Sequence, residues 1–187
     1  MRRDMRDRVI DAAIAAFAHK GMKFTMDDIA REAGMSKKTI YHQFDSKEAL
    51  CFAVTDRCFA DIKQSEQAIF DDDTLSTLEK LRRIMVVLPD HYQNIGLNKL
   101  CCLKDKFPAV YDHLSQQLET NWDLTITLLE QGMAEGVVRP ISVPLLKTML
   151  ESTLQRFFCS DVLLKNDLSY EQALQEIIDI FIQGIRA

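Results

Sequence analysis

The chain has 187 residues, 47% of them hydrophobic and 27% charged, with a formal net charge of -5. This length can bury a substantial core, and six glycines with four prolines favour long helices over a turn-rich β fold. No apolar run approaches the roughly 18 residues of a membrane span, and no apolar signal-peptide segment follows the basic N-terminus, so we expect a cytoplasmic protein without a membrane partner.

The first predicted helix covers residues 4–20 and ends near Gly21. Its apolar positions recur at helical spacing and form a single stripe: Ile10, Ala13, Ile14 and Phe17. We expect this stripe to pack across the segment that follows, with Phe24 in the same small core.

Residues 25–47 predict two short helices that meet at Ala33-Gly34, followed by the start of a third. Thr25 is the predicted N-cap of the first, and Asp28, three residues further on, can complete a capping box. Gly34 offers the positive φ at which helices commonly end. This pattern is typical of a helix-turn-helix.

The second short helix is capped by Ser36 and turns Ile40 and Phe44 into the core, while Ser46 can cap the third. The second helix of a helix-turn-helix enters the DNA major groove, where polar side chains contact phosphates and base edges. The remaining positions of this helix are all polar and therefore predict DNA binding: Lys37, Lys38, Thr39, Tyr41, His42 and Gln43.

The helix that begins at Lys47 is expected to run far beyond this unit, because an apolar inner face continues to Ile69. The acidic run Asp71-Asp72-Asp73 should break the chain and cap the next helix, and Ser169 with Gln172 forms a capping-box pattern before the last one. Further helices are predicted at 74–88, 91–105, 108–135, 143–164 and 169–185.

Residues 6–50 resemble the DNA-binding domain of the TetR family of transcriptional regulators. The resemblance implies an all-α fold with an N-terminal three-helix DNA-binding domain, residues 1–46, and a helical effector-binding and dimerisation domain, residues 47–187. We call these the head and the body. The resemblance rests on sixteen positions: Ile10, Ala13, Phe17, Gly21, Thr25, Asp28, Ile29, Ala30, Ala33, Gly34, Ser36, Thr39, Tyr41, Phe44, Lys47 and Leu50.

The resemblance also implies a homodimer that binds a palindromic operator, most often as a repressor, and is released by a small-molecule effector. Base or phosphate contacts are expected from Lys37, Thr39, Tyr41 and His42. Backbone positioning is expected from Thr25, Ser36, Lys38, Gln43 and Lys47, although Thr25 and Ser36 can also be simple helix caps. Gln43 departs from the resemblance, because similar proteins often carry His or Tyr at this position.

Charge is unevenly divided between the two domains. Residues 1–50 hold 10 Lys and Arg against 8 Asp and Glu, a net of +2, and the rest hold 13 against 20, a net of -7. The acidic body would be repelled by DNA and help to orient the head. The cations that could neutralise phosphates, if they are not ordinary solvated charges, are Arg2, Arg3, Arg6, Arg8, Lys37, Lys38 and Lys47.

The body resembles nothing specific beyond its helical periodicity. The implied effector pocket draws on apolar and aromatic residues of the central helices, each of which can instead be core: Met85, His91, Phe107, Tyr111, Trp122, Ile126, Met133 and Phe157. Apolar stripes of the last two long helices are expected to form the dimer interface, unless they are monomer core: Leu150, Leu154, Phe158, Leu174, Ile178 and Phe181.

Other classes of function have weaker signals. Five cysteines lack zinc-type spacing, so no metal or cofactor is expected, although Cys101, Cys102 and His91 leave a thiol or metal sensor open. The GxSxG, HExxH and phosphate-loop motifs are absent, which argues against an enzyme. A regulator whose body only dimerises is also open, as is a head that docks proteins, although docking would favour apolar anchors.

Overall fold

The computed structural model describes residues 4–89, 92 and 101–187, without the side chains of Cys101, Cys102 and Cys159. Within these residues the regular structure is helical apart from one isolated antiparallel bridge between Val138 and Arg186, which confirms the all-α prediction. The helices are α1 Met5–Lys20, α2 Met26–Ala33, α3 Lys37–Gln43, α4 Lys47–Phe70, α5 Thr77–Val86, α6 Cys101–Lys106, α7 Pro108–Thr120, α8 Asp123–Ala134, α9 Val143–Cys159, α10 Val162–Lys165 and α11 Tyr170–Ile185.

The head consists of α1, α2 and α3 around a small apolar core. The capping box at Thr25 and Asp28 is present, and Gly34 ends α2 with a φ of 63°, as predicted. Ile40 and Phe44 are buried against α1 and α2. These local signals therefore set the angle at which α3 leaves the turn.

Helix α4 begins at the Ser46 cap and extends over 24 residues from the head into the body. At about 1.5 Å per residue it is roughly 36 Å long. Its first turns belong to the head core through Leu50 and Cys51. A single apolar cluster joins the head to α6, α7 and α9 of the body and includes Ile14, Phe24, Leu50, Leu103, Val110 and Phe158.

The helix predicted at 74–88 is shorter than expected and begins at Thr77. Ser76 is its N-cap and forms a capping box with Glu79. The acidic run does not cap this helix: Asp72 instead accepts hydrogen bonds from the backbone and hydroxyl of Thr74, at 2.9 and 2.6 Å. The predicted break is present, because α4 ends at Phe70. The predicted cap was wrong, because a nearby Ser-x-x-Glu pattern satisfies the amides of the next helix instead.

The single helix predicted at 108–135 is divided into α7 and α8 at Asn121-Trp122. The side chain of Asn121 donates to the Gln117 carbonyl, and the indole of Trp122 donates to the Leu118 carbonyl, each at 2.7 Å. In a continuous helix, those carbonyls would accept from the backbone amides of Asn121 and Trp122. Side-chain donors replace these amides, and the helix ends.

The helix predicted at 143–164 is likewise divided, at Ser160. Its hydroxyl donates to the Arg156 carbonyl at 2.8 Å and accepts from the Val162 amide at 3.3 Å, while its backbone is extended. Most of the helix predicted at 91–105 lies outside the described residues, and the described part, α6, ends before Pro108.

The rest of the body packs α5, α8, α9 and α11 around two adjoining apolar clusters, centred on Leu128 and on Ile178. The C-terminus is held against the loop after α8, where the Arg139 amide donates to the Ile185 carbonyl at 2.8 Å. Across the described ranges, we find no helix with the length and apolar character to traverse a bilayer.

Candidate nucleic-acid interface and effector cavity

Three side chains of α3 form an exposed polar surface, which we call the recognition face: Lys38, Tyr41 and His42. Tyr41 is 42% exposed although its ring is large and mostly apolar. None of the three hydrogen-bonds with another residue in the described part of the chain. Since Ile40 and Phe44 fix the opposite face in the core, these groups are free to meet an external partner.

The predicted contacts at the helix starts are occupied by capping bonds. The Thr25 hydroxyl accepts from the Asp28 amide at 3.2 Å and bonds the Asp28 carboxylate at 2.9 Å. The Ser36 hydroxyl accepts from the Thr39 amide at 3.1 Å and lies 2.8 Å from the Thr39 hydroxyl. Thr25 and Ser36 therefore act as helix caps, Thr39 is the partner that Ser36 bonds, and both helix N-termini remain at the surface.

Two ion pairs, Lys37–Asp27 and Lys20–Asp28, lie at the start of the helix-turn-helix. The Lys37 ammonium lies 2.9 Å from the Asp27 carboxylate, and both side chains are exposed. A hydrogen bond from Lys20, together with the capping bonds of Thr25, lowers the pKa of Asp28 to about 2. Lys37 is thus paired within the head, and it must leave Asp27 before it can contact a phosphate.

Lys47 is turned inward rather than toward a nucleic acid. Its ammonium donates to the carbonyls of Met22 and Phe24 at 2.9 and 2.6 Å and lies 3.9 Å from the centre of the Phe24 ring. Partial burial lowers the pKa of Lys47. The geometry therefore differs from the phosphate contact expected of Lys47, because two backbone carbonyls between α1 and α2 already occupy its donors.

Gln43, at the end of α3, is half-buried beside the first turn of α1. Its amide lies 3.9 Å from the Met5 sulfur, and the Gln43 carbonyl accepts from Arg6 at 3.3 Å. The Arg6 guanidinium also lies 4.3 Å from the centre of the Phe44 ring. Arg6 and Gln43 thus join α1 to the C-terminal end of α3 and stabilise the orientation of the recognition face.

A cavity of about 120 Å³ lies inside the body between α4, α5, α7, α8, α9 and α11. We call it the body cavity. Its lining is mostly aliphatic and aromatic, and its polar groups include Glu66 and Lys63 of α4, Thr125 of α8 and Tyr170 of α11. Desolvation raises the pKa of Glu66 to about 7. A concave, mostly apolar pocket with few polar groups is the usual form of a small-molecule site.

Of the predicted pocket residues, Met85 and Trp122 line the body cavity. Phe107 and Tyr111 pack instead in the cluster that joins head and body, Ile126 packs beside Trp122, and Met133 packs around Leu128. Phe157 lies edge-on to Tyr170. His91 lies outside the described residues.

The α4 contribution to the cavity was missing from the sequence prediction. Ile62 and Lys63 lie three and four residues after Phe59, and Glu66 lies four and three residues after them, so the four residues share one face of the helix. An acid that continues an apolar stripe is a signal that periodicity alone could have revealed.

The residues predicted at the dimer interface lie largely in the core of one chain. Leu150, Phe158, Leu174 and Ile178 are buried, and Leu154 and Phe181 are half-buried. Three others on α9 and α11 are exposed instead, Leu145 to 61%, Met149 to 56% and Ile180 to 70%. They border one shallow apolar depression, which we call the α9–α11 face. The apolar residues of α9 and α11 therefore contribute to two surfaces. The buried ones form core within one chain, and the exposed ones form the α9–α11 face.

The described cysteines provide no reactive centre. Burial raises the pKa of the Cys51 thiol to about 11 and that of Cys58 to about 12, which keeps both protonated and poorly nucleophilic. No cluster of three or more His, Cys, Asp or Glu residues in the described part could hold a metal ion. His91 and the side chains of Cys101 and Cys102 lie outside it, so a thiol or metal sensor built from them stays an open alternative.

Comparisons with known proteins agree with this geometry. Residues 9–54 match the family model described as "Bacterial regulatory proteins, tetR family". The "Uncharacterized HTH-type transcriptional regulator YvaF" of Bacillus subtilis (strain 168) is 27% identical over 183 residues, which cover 98% of this chain and 96% of YvaF.

Two solved structures share the fold over nearly the whole chain. A TetR transcription regulator from Haloarcula marismortui ATCC 43049 has a TM-score of 0.76 at 18% identity and covers 98% of this chain and 99% of its own. FadR from Bacillus subtilis in complex with stearoyl-CoA has a TM-score of 0.65 at 18% identity, with 96% and 99% covered. Residues 9–54 thus match the DNA-binding segment of the TetR family, and the chain as a whole shares its fold with regulators of that family.

Proposed function

We propose that this protein is a dimeric, effector-controlled repressor that binds a palindromic operator through the recognition face. The observation that carries the proposal is the exposed set Lys38, Tyr41 and His42 on a helix whose opposite side is fixed in the core. These groups offer an ammonium, a phenol and an imidazole to base edges and phosphates. A regulator of this kind works beside the chromosome, so we place it in the cytoplasm.

Two heads are needed because α3 has only seven residues and reads a short stretch of DNA. A twofold dimer would present two such helices to half-sites about one helical turn, roughly 34 Å, apart. The α9–α11 face is the surface that we assign to this contact, since isolated exposed apolar side chains are common but a contiguous patch marks an interface.

We propose effector control because α4 is part of both the head core and the body cavity. Its N-terminal turns lie in the head core through Leu50, while Phe59, Ile62 and Glu66 line the body cavity. A ligand that prefers one position of α4 shifts the population of head spacings and thereby changes operator affinity. A structural relative, FadR, is known in complex with stearoyl-CoA, which is consistent with a ligand-binding body.

Selection of bound duplexes from a random pool, with the full-length protein, tests the DNA-binding part. We expect an enriched palindrome whose half-sites lie about one helical turn apart. The Tyr41→Ala and His42→Ala variants should lose preference at specific base pairs, by roughly 1–3 kcal/mol for each base that is no longer recognised. Enrichment of a site without twofold symmetry, or no enrichment at all, would contradict the proposal.

A regulator whose body only dimerises is the second candidate, and the body cavity argues against it. The two differ in one measurement: operator affinity with and without a compound that binds the cavity. An unchanged affinity for every compound that binds would favour the dimer-only protein.

A further inference from the structure

Glu66 is the acidic group of the body cavity, and its position on α4 is set by the helical repeat. It lies seven residues after Phe59 and four after Ile62, both of which line the same cavity. The register that turns those apolar side chains inward therefore turns the carboxyl inward as well. An acid at such a position is costly to bury without a partner.

The polar groups around Glu66 divide into occupied and free ones. The donors of Asn121 and Trp122 are used by the carbonyls at the end of α7. By contrast, the Glu66 carboxylate, the Thr125 hydroxyl and the Tyr170 phenol form no hydrogen bond with any residue that the structure describes. Unused acceptors inside a mostly apolar cavity are the groups that a ligand would satisfy.

The charges at the cavity favour a cation over an anion. Lys63, one helical turn from Glu66, is the other charged residue in the described lining, and its side chain is exposed to solvent. Glu66 is half-buried, and burial raises its pKa to about 7 even though the charge of Lys63 lowers it. An ammonium beside Glu66 would stabilise the carboxylate, whereas a ligand carboxylate would be repelled by it.

We propose that the body cavity binds a small, largely apolar molecule with a protonated amine, and that the ammonium pairs with the carboxylate of Glu66. This proposal rests on the proposed function only because it takes the body cavity as the effector site. The cavity has a volume of about 120 Å³ and is partly open to solvent, which limits the enclosed apolar part of the molecule to about one small ring. For scale, an apolar cavity of about 150 Å³ holds benzene. Thr125 and Tyr170 can accept the remaining ammonium hydrogens.

Trp122 allows this binding to be measured directly, because it is the single tryptophan of the chain and lines the cavity. Tryptophan fluorescence of the full-length protein is titrated with benzylamine, benzyl alcohol and benzoate, three probes of similar shape and different charge. We expect benzylamine to bind at least tenfold more tightly than either of the others. Equal binding of benzylamine and benzyl alcohol, or tighter binding of benzoate, would overturn the proposal.

The Glu66→Gln variant assigns the effect to one carboxylate. It should reduce benzylamine affinity about tenfold or more, the usual range for a charged hydrogen bond, and leave benzyl alcohol affinity unchanged. Glu130→Gln is the matched control, because Glu130 is exposed on α8 and its substitution removes the same charge from the body. A similar loss in both variants would mean that overall charge, not Glu66, selects the amine.

A pH series gives a readout that a folding defect would not produce. Glu66, Lys63 and Tyr170 are the titratable groups in the described lining of the cavity. Benzylamine affinity should rise between pH 6 and 8 in the unaltered protein, as Glu66 loses its proton, and stay flat in Glu66→Gln. A flat profile in both would contradict pairing with Glu66.

The ligand class and effector control can fail independently of each other. If benzylamine binds through Glu66 but operator affinity is unchanged, the ligand class holds and effector control fails. Other compounds could release the operator while each of the three probes binds the unaltered protein and Glu66→Gln equally well. In that case effector control holds, and the proposal of an amine ligand is wrong.

Discussion

Two lysines that look equivalent in the sequence have different roles. Lys38 extends from the recognition face, whereas the Lys47 ammonium donates to the carbonyls of Met22 and Phe24. The difference could not be predicted from the sequence, because it depends on where the loop between α1 and α2 passes the start of α4. Tertiary contacts therefore decide which cation can contact DNA.

Lys47→Met should lower the free energy of unfolding by about 1–3 kcal/mol, because two partly buried carbonyls lose their donor. Chemical denaturation measures this change.

Lys38→Ala should leave stability unchanged and reduce the slope of log affinity against log salt by about 0.9 for each phosphate that is no longer neutralised, close to two per dimer. A reduced salt slope in Lys47→Met would show that Lys47 leaves its carbonyls when DNA binds.

Glu66 also makes stability depend on pH. Its pKa is raised to about 7 in the folded protein, so its favourable contribution is complete below the ordinary Glu pKa near 4.5 and is lost as pH rises through 7. Glu66→Gln should therefore be more stable than the unaltered protein at pH 8, by about 1–2 kcal/mol after allowance for solvent screening. Denaturation at pH 5 and pH 8 tests the sign, and a larger gain at pH 5 would refute it.

Local signals predicted most helix starts correctly. Thr25, Ser36, Ser46 and Ser169 cap the helices that their sequence patterns predicted. The ends inside the body were harder, because Asn121 and Ser160 end helices by donating to carbonyls four residues earlier. Such residues also occur within helices, so composition alone does not reveal a break.

The turn between α2 and α3 gives a test at the level of elements. Gly34 has a φ of 63°, and a Cβ there would meet no other atom within 4 Å. Gly34→Ala should therefore cost about 1–2 kcal/mol of stability through backbone strain alone. Gly34→Asn should cost less, since Asn tolerates this conformation, and thermal unfolding measures both. Equal losses would show that something other than φ is responsible.

The α9–α11 face tests the assembly of the whole molecule. Met149→Asp or Leu145→Asp places a charge on the face, which should shift a dimer toward monomers in sedimentation equilibrium and weaken operator binding. Leu164→Asp is the matched control, because Leu164 is 61% exposed on α10, away from this face. Dissociation by Leu164→Asp, or none by the other two, would place the interface elsewhere.

The sequence by itself determined the helical fold, the caps of the head and the polar residues of α3, because these depend on neighbours within a few positions along the chain. Tertiary structure decided that Lys47 faces inward, that Leu150 and Ile178 are core, and that Met85 and Trp122 meet Glu66 at one cavity. Periodicity shows that a helix has an apolar stripe, but packing between distant segments determines what that stripe contacts.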